Sequence, residues 1–300
     1  MPLLDNMYIV IGLLECASLL LPKGQRKIGY VGSGQKPFHM WIIFAYLLLG
    51  ALAGVLAGLL GVGGGMVIVP AFFFLFKSQG LPNDLLMHMA VGSSLATVVL
   101  TSLSSAHAHH RRGAVLWRSV GFLTPGIVAG ALLGAAVARY LPSPQLRILF
   151  GLFEIVVAVQ LLMGLRPAPH RELPDLTGMT LAGLVVGSVS TVLGIGGGTM
   201  TVPFLLWCNV TIREAIATSA ACGLPIALTG ALGFALLGLG QPDLPQGSTG
   251  FLYWPAILGV VTGSMFFTPL GARLAHTLPV ETLRRLFAAV LALIGVRMLV

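Results

Sequence analysis

Charged residues are scarce in this chain of 300 residues. Asp, Glu, Lys and Arg together make up only 9% of it, whereas a soluble domain carries about 25%. Hydrophobic residues make up 56%, and the mean hydropathy is +0.95. A surface with so few charges cannot face water over most of its area. The composition therefore excludes a soluble protein and predicts an integral membrane protein whose main partner is the lipid bilayer.

Cysteine is rare as well, and acidic residues are few. Cys16, Cys208 and Cys222 fit no ligand spacing and are expected to be packing residues. The 17 Lys and Arg residues exceed the 9 acidic ones and give a net charge of +8, but they lie mostly at the ends of apolar segments. Cations there set membrane topology, so we expect no nucleic-acid partner. No acid, base, nucleophile or metal constellation converges, so the sequence predicts neither an enzyme nor a cofactor or metal site.

Long apolar runs, by contrast, are abundant. A helix needs about 20 apolar residues to cross the hydrocarbon core, and no ten-residue alternation typical of a membrane β-barrel is present. The sequence therefore predicts an all-α helical bundle with eight to ten transmembrane segments. The expected segments are Leu47 to Gly61 with its lead-in from Trp41, Leu85 to Ser105, Val115 to Val137, Ile148 to Leu165, Leu176 to Leu193, Ala215 to Leu239, Phe251 to Leu274 and Leu286 to Val300.

The chain is an internal duplication. Residues 50–70 match residues 183–203 at nine of 21 positions without a gap, and residues 134–150 match residues 271–287 at nine of 17. These matches predict two homologous repeats, 41–165 and 176–300, joined by a polar linker at 166–175. Residues 1–40 precede them as a hydrophobic segment and a basic loop. The two repeats could be parallel or inverted, and we favour inversion because it brings equivalent parts of each repeat together at one central site.

A glycine triplet interrupts an apolar segment in each repeat, within "LLGVGGGMVIVP" and "VLGIGGGTMTVP". Glycine runs can adopt positive φ and allow close approach to the backbone. A short helix that starts there points unpaired N–H groups and a positive dipole end at one spot, which favours an anion. We expect the site to be lined by the triplets and by nearby hydroxyl groups. The predicted lining residues are Gly63, Gly64, Gly65, Ser93, Ser94, Gly196, Gly197, Gly198, Thr199, Thr218 and Ser219.

Other glycines have a simpler explanation. Gly50, Gly54 and Gly58, with Gly183 and Gly187 in the second repeat, form small-residue stripes that let membrane helices touch. Three adjacent glycines point in all directions around a helix, so this explanation fits the triplets less well. A phosphate-binding loop would need Lys followed by Ser or Thr after the glycines, and Met66 or Thr199 stands there instead.

The paired glycine-rich breaks that end in "VP", the later "VGSS" and "ATSA" hydroxyl pairs and the terminal "LP...LRRLF" unit resemble the TauE/SafE sulfite exporter family. The resemblance runs from about Trp41 to Val300. It implies a multi-pass secondary transporter of the bacterial inner membrane that carries small sulfur-containing anions such as sulfite, sulfoacetate or other organosulfonates. The family's glycine-rich segments and hydroxyl pairs correspond to the residues named above. The resemblance leaves the substrate, the coupling ion and any homo-oligomer open.

Two further groups of ionisable residues need an explanation. Glu154 lies inside an apolar segment, where an acid is a functional candidate by default. It could carry a proton if transport is proton-coupled, or it could meet a polar partner. The "HAHHRR" run at residues 107–112 has no accompanying carboxylate or cysteine, so we expect a solvated basic loop. His88 could line the pathway or lie at an interface.

Two modes of transport are compatible with this sequence. The leading hypothesis is a secondary transporter, acting as an exporter, that exposes a site between the repeats to each side of the membrane in turn. The alternative is an anion channel in which the same backbone amides line an open pathway.

Overall fold

The computed structural model describes residues 40–60, 64–164, 172–274 and 280–300. These residues form ten helices and one short hairpin, which confirms the all-α membrane fold class. The helices are α1 (Met40–Leu60), α2 (Gly65–Ser78), α3 (Leu86–Arg111), α4 (Trp117–Tyr140), α5 (Ser143–Met163), α6 (Leu176–Leu193), α7 (Gly198–Trp207), α8 (Ile212–Leu237), α9 (Trp254–Leu274) and α10 (Val280–Leu299). Strands β1 (Ser248–Thr249) and β2 (Leu252–Tyr253) pair antiparallel. The predicted N-terminal segment up to residue 39, Gly63 and residues 165–171 lie outside the described residues.

Among the described residues, five helices are long and apolar enough to cross a membrane: α3, α4, α5, α6 and α8. Large apolar side chains such as Leu132, Leu152 and Val156 are exposed on their outer faces, which suits lipid rather than water. By contrast, α2 has 14 residues and α7 has 10. At 1.5 Å per residue they reach about 21 and 15 Å, too short for a hydrocarbon core of about 30 Å. The protein is therefore a multi-pass membrane protein with two short helices; α2 is mostly buried, whereas only Thr201 and Leu205 are buried in α7.

Helices α1 and α9 pack in parallel through glycines. A Cβ placed on Gly259 would lie 2.6 Å from the Cβ of Tyr46, and one placed on Gly263 would lie 3.0 Å from the Cα of Gly50. Residue numbers rise together along both helices, so the two chains run in the same direction. Because a side chain at these positions would overlap backbone or Cβ atoms, only glycine allows this separation.

Helices α4 and α6 pack in the same way. A Cβ on Gly126 would overlap the carbonyl oxygen of Thr180, and one on Gly130 would overlap that of Leu184. Residue numbers again rise together, so these helices are also parallel. The expected stripe role is confirmed for Gly50, Gly183 and Gly187, each of which lies against the backbone of the neighbouring helix.

Two other helix pairs run antiparallel. Gly92 on α3 contacts Phe234 on α8, while Ser102, farther along α3, contacts Gly223. As residue numbers rise on α3 they fall on α8. Helices α5 and α10 are also antiparallel. Gly151 contacts Gly295, whereas Gly164, just after the end of α5, contacts the guanidinium of Arg284 near the start of α10.

The structure corrects two sequence predictions, one about a loop and one about the start of a helix. The run from His107 to Arg111 is not a loop, because α3 continues through it. Cations in the last turn of a helix interact favourably with its negative end. The predicted segment from Phe251 to Leu274 begins too early, because Phe251 follows a glycine with φ of 56° and residues 252–253 form β2. Pro255 then occupies the first turn of α9, a position that proline favours.

Candidate functional site

Both predicted helix breaks are present in the backbone. Gly64 is left-handed with φ of 66°, and its carbonyl accepts hydrogen bonds from the N–H groups of Val67 (3.0 Å) and Ile68 (3.1 Å) at the start of α2. Gly194 ends α6 with φ of 70°. L-amino acids with a side chain rarely adopt these angles, so glycine suits both the start of α2 and the end of α6.

The two breaks contact each other. A Cβ on Gly65 would lie 3.0 Å from the carbonyl oxygen of Gly194 and 3.0 Å from the Cα of Ile195. The hydroxyl of Ser94 donates to that same carbonyl at 2.9 Å. Helices α2, α3 and α6 therefore meet at one point, and the start of α2 lies directly against the chain that leads into α7.

The start of α7, at the second break, is less crowded than the start of α2 at the first break. The carbonyl of Gly197 accepts from the N–H of Thr201 at 2.8 Å, which forms the first turn. A Cβ on Gly197 would meet Ile226 Cδ1 at 2.8 Å and Thr201 Oγ1 at 3.1 Å, and one on Gly196 would meet only Val98 Cγ1 at 3.4 Å. The nearest neighbours of Gly197 are thus side-chain atoms from α7 and α8, and the backbone nitrogen of Gly223 lies farther away, at 3.7 Å. Gly198 begins the helix.

The predicted hydroxyl pairs have partners inside the protein. Ser93 Oγ accepts from the N–H of Tyr253 at 3.0 Å, and Thr218 Oγ1 accepts from the N–H of Leu116 at 3.0 Å. Tyr253 and Leu116 each precede the first residue of a helix, α9 and α4 respectively. Ser219 donates to the carbonyl of its own helix at Ile216, 2.9 Å away. These contacts give the pairs a clear role in fixing helix starts and the second break.

Other hydroxyls near the second break have no partner. In the part of the chain that the structure describes, five buried hydroxyl oxygens make no hydrogen bond. One belongs to Ser248, and the four near the second break belong to Ser190, Thr191, Thr199 and Thr201. Leaving a buried hydroxyl unsatisfied costs about 1–3 kcal/mol. Sequence reasoning chose Thr199 for the site but passed over Ser190 and Thr191. The available signal was positional, because the two residues precede Gly194 by only four and three positions, about one helical turn.

Glu154 lies away from the breaks. Its side chain is fully buried, neither carboxylate oxygen has a hydrogen-bond partner, and its Cβ lies 3.3 Å from a Cβ built on Gly295 of α10. The structure therefore places Glu154 in the α5–α10 interface, whereas the breaks lie among α2, α3, α6, α7 and α8. An unpaired acid inside a membrane protein remains a functional candidate.

His88 and Tyr253 close one end of the bundle. The Nε2 atom of His88 lies 3.0 Å from the carbonyl oxygen of Ala138, and its ring lies 5.2 Å from that of Phe251. Burial raises the pKa of Tyr253 to about 12, so its phenol stays neutral. The aromatic ring of Tyr253 contacts that of Phe76 edge-on at 5.7 Å. These residues form a packed aromatic layer, which agrees with an interface role for His88.

Comparison with known proteins gives one family. The family described as "Sulfite exporter TauE/SafE" matches residues 46–298. A "Probable membrane transporter protein" of Haemophilus influenzae is 36% identical over 258 residues, which cover 85% of this chain and 97% of that protein. Two further relatives carry the same description. YunE of Bacillus subtilis is 27% identical, and the aligned part covers 84% of this chain and 96% of that protein. MJ0441 of Methanocaldococcus jannaschii is 26% identical, and the aligned part covers 84% of this chain and 94% of that protein. No solved structure matches the chain.

Proposed function

The chain belongs to the TauE/SafE sulfite exporter family, and from this premise we propose that it exports small sulfur-containing anions. It is a membrane transporter with a small-molecule substrate. Sulfite, sulfoacetate and other organosulfonates are the substrates that the proposal names. The names of its relatives point to transport rather than to an enzymatic activity.

One observation carries the proposal: the two helix breaks meet. Gly65 lies against Gly194 and Ile195, and the first turn of α7 starts three residues farther on. Helix N-termini attract anions because their N–H groups are unpaired and the helix dipole is positive there. In a bilayer, backbone that is not helical persists only inside protein or beside a water-filled pathway. The meeting point of the breaks therefore suits a small anion.

We also infer that the two halves are inverted copies. A Cβ on Gly50 would overlap the carbonyl oxygen of Val260, and one on Gly183 would overlap that of Leu123. Gly50 and Gly183 differ by 133 positions and Leu123 and Val260 by 137, the same offsets that align the two repeats. The first helix of each copy thus packs on the fourth helix of the other. Because the matching helices α3 and α8 run antiparallel, the axis that relates the copies lies in the membrane plane, as in transporters with inverted repeats.

This arrangement supports alternating access. Rocking of one group of packed helices against the rest of the bundle would expose the breaks first to one side of the membrane and then to the other. An inside-negative potential favours anion export by about 2.3 kcal/mol per charge per 100 mV. Export then needs little further coupling, although Glu154 is our candidate if a proton is carried.

The test is counterflow in proteoliposomes that contain the purified protein. Vesicles loaded with unlabelled sulfite should accumulate radiolabelled sulfite transiently, because a carrier exchanges substrate faster than it moves a net load. Sulfoacetate should compete and chloride should not. Flux that does not saturate and shows no counterflow would indicate the channel alternative, and no sulfite or sulfonate flux at all would refute the proposal.

A further inference from the structure

We propose that the second break carries the side-chain donors of the anion site, with Ser190, Thr199 and Thr201 binding the oxygen atoms of a small sulfur oxyanion. The first break supplies an apolar wall. This inference rests on the transport function proposed above and deepens it by naming the residues that determine specificity. It differs from the sequence prediction, which treated the two triplets as equivalent.

The three hydroxyls differ from most others in the described helices. Hydroxyls on membrane helices usually donate to a carbonyl one turn back, as Thr97 does to Ser93 at 2.9 Å and Thr124 does to Val120 at 2.7 Å. Ser190 and Thr201 are fully buried, and their hydroxyl groups make no hydrogen bond to a carbonyl one turn back or to any other group of the protein. For Thr199, the residue one turn back lies in the break, so no helical carbonyl is positioned to accept.

These hydroxyls flank the second break, with Ser190 in the last turns of α6 and Thr199 and Thr201 near the start of α7. Thr201 Oγ1 lies 3.1 Å from a Cβ built on Gly197, and Ile226 Cδ1 lies beside it at 2.8 Å from the same point. Ser190 is one helical turn beyond Val186, which packs in the same hydrophobic cluster as Ile226. Ser190 lies four residues before Gly194, the residue that ends α6 and opens the second break. The Thr199 hydroxyl is buried in the first turn of α7.

Thr191 does not belong to this set. A Cβ on Gly134 would lie 3.1 Å from the Cβ of Thr191, and one on Gly230 would lie 3.1 Å from its Cγ2. Thr191 is thus wedged between α4 and α8, with close packing on both sides. No ligand could reach its hydroxyl without separating those helices.

The first repeat lacks every one of these donors. In the ungapped alignment, Ser190 stands opposite Ala57, Thr199 opposite Met66 and Thr201 opposite Ile68. Met66 and Ile68 are buried in the main hydrophobic core. The backbone breaks are duplicated, whereas the hydroxyl donors occur in the second copy only. A substrate bound between the copies would therefore meet donors on one side and apolar atoms on the other.

An oxyanion fits this chemistry better than a cation does. Each hydroxyl offers one O–H donor, and the first turn of α7 offers backbone N–H groups with the positive end of a dipole. A cation would be repelled by that dipole. Sulfite and sulfonates present three acceptor oxygens, and the sulfonates also carry an organic group that an apolar wall accommodates. The absence of Lys and Arg from both breaks leaves binding weak enough for release.

The test compares Thr201→Val, Thr201→Ser and Ser190→Ala with the control Thr124→Val, which loses a hydroxyl that is bonded within α4. Counterflow is measured over a range of sulfite concentrations, together with the melting temperature of each purified variant without substrate. We expect Thr201→Val and Ser190→Ala each to raise the half-saturating sulfite concentration about tenfold. Thr201→Ser should stay within about twofold of wild type, and so should Thr124→Val.

The melting temperatures make the test decisive. An unpartnered buried hydroxyl makes no stabilising hydrogen bond and its burial is unfavourable, so Thr201→Val should melt at or above the wild-type temperature. A lower melting temperature would mean that the hydroxyl has a structural partner, and it would overturn the inference. Unchanged half-saturation in Thr201→Val and Ser190→Ala would also overturn it while the transport function stood. If the wild-type protein showed no sulfite flux, the proposed transport function itself would be refuted.

Discussion

Gly65→Ala tests whether the two helix breaks are in contact. The added Cβ would lie 3.0 Å from both the carbonyl oxygen of Gly194 and the Cα of Ile195. Both are backbone atoms of the other break, so the neighbours cannot yield by a side-chain rotation. Relieving the contact to about 3.5 Å requires the breaks to separate by about half an ångström. Overpacking of this kind costs about 1–3 kcal/mol, from which a helix-propensity gain of up to about 1 kcal/mol is subtracted.

We therefore expect Gly65→Ala to lower the stability by about 1–2 kcal/mol and to reduce sulfite flux. The assay is thermal and denaturant unfolding in detergent, followed by reconstitution of the folded fraction. The matched control is Gly121→Ala, since a Cβ at this exposed helical position would meet nothing within 4 Å. That variant should be as stable as wild type or more so. If Gly65→Ala were as stable and as active as Gly121→Ala, the breaks would not pack as the structure has them.

Three further predictions follow from other contacts. Gly50→Ala and Gly183→Ala should destabilise the protein by similar amounts, about 1–3 kcal/mol in thermal unfolding, and a large difference between them would argue against equivalent interfaces. Ser93→Ala and Thr218→Val should each lower the free energy of unfolding by about 1–3 kcal/mol, because each leaves a backbone N–H without its partner. The half-saturating sulfite concentration of the folded variants should equal that of wild type, and a shift would indicate that these hydroxyls bind substrate. Glu154→Gln should abolish any effect of an imposed pH gradient on flux while sulfite counterflow persists, and an undiminished pH effect would exclude Glu154 as the proton carrier.

The sequence predicted the helical elements well where local pattern decides. The segment Leu176 to Leu193 coincides with α6, since Asp175 caps its start and a glycine ends it. The breaks were predictable for the same reason, because residues other than glycine rarely adopt the backbone angles of Gly64 and Gly194.

Contacts between distant residues were not predictable in this way. Ser93 and Tyr253 are 160 positions apart, and Thr218 and Leu116 are 102 apart. A hydroxyl beside a glycine looks alike in sequence whether it binds a ligand or a loop N–H group. The hydroxyl of Ser190 shows the opposite case, since its lack of a partner becomes visible only when every neighbouring acceptor has been placed. Tertiary packing decides such roles.

The location of a bound anion would test the central claim most directly. Selenite has the shape and charge of sulfite, and its selenium atom can be located by anomalous scattering in a crystal of the protein. The account predicts one selenium peak at the start of α7, within hydrogen-bond reach of the Thr201 hydroxyl and beside Gly197. A selenite site elsewhere in the bundle, or both glycine triplets wound into continuous helix, would contradict it.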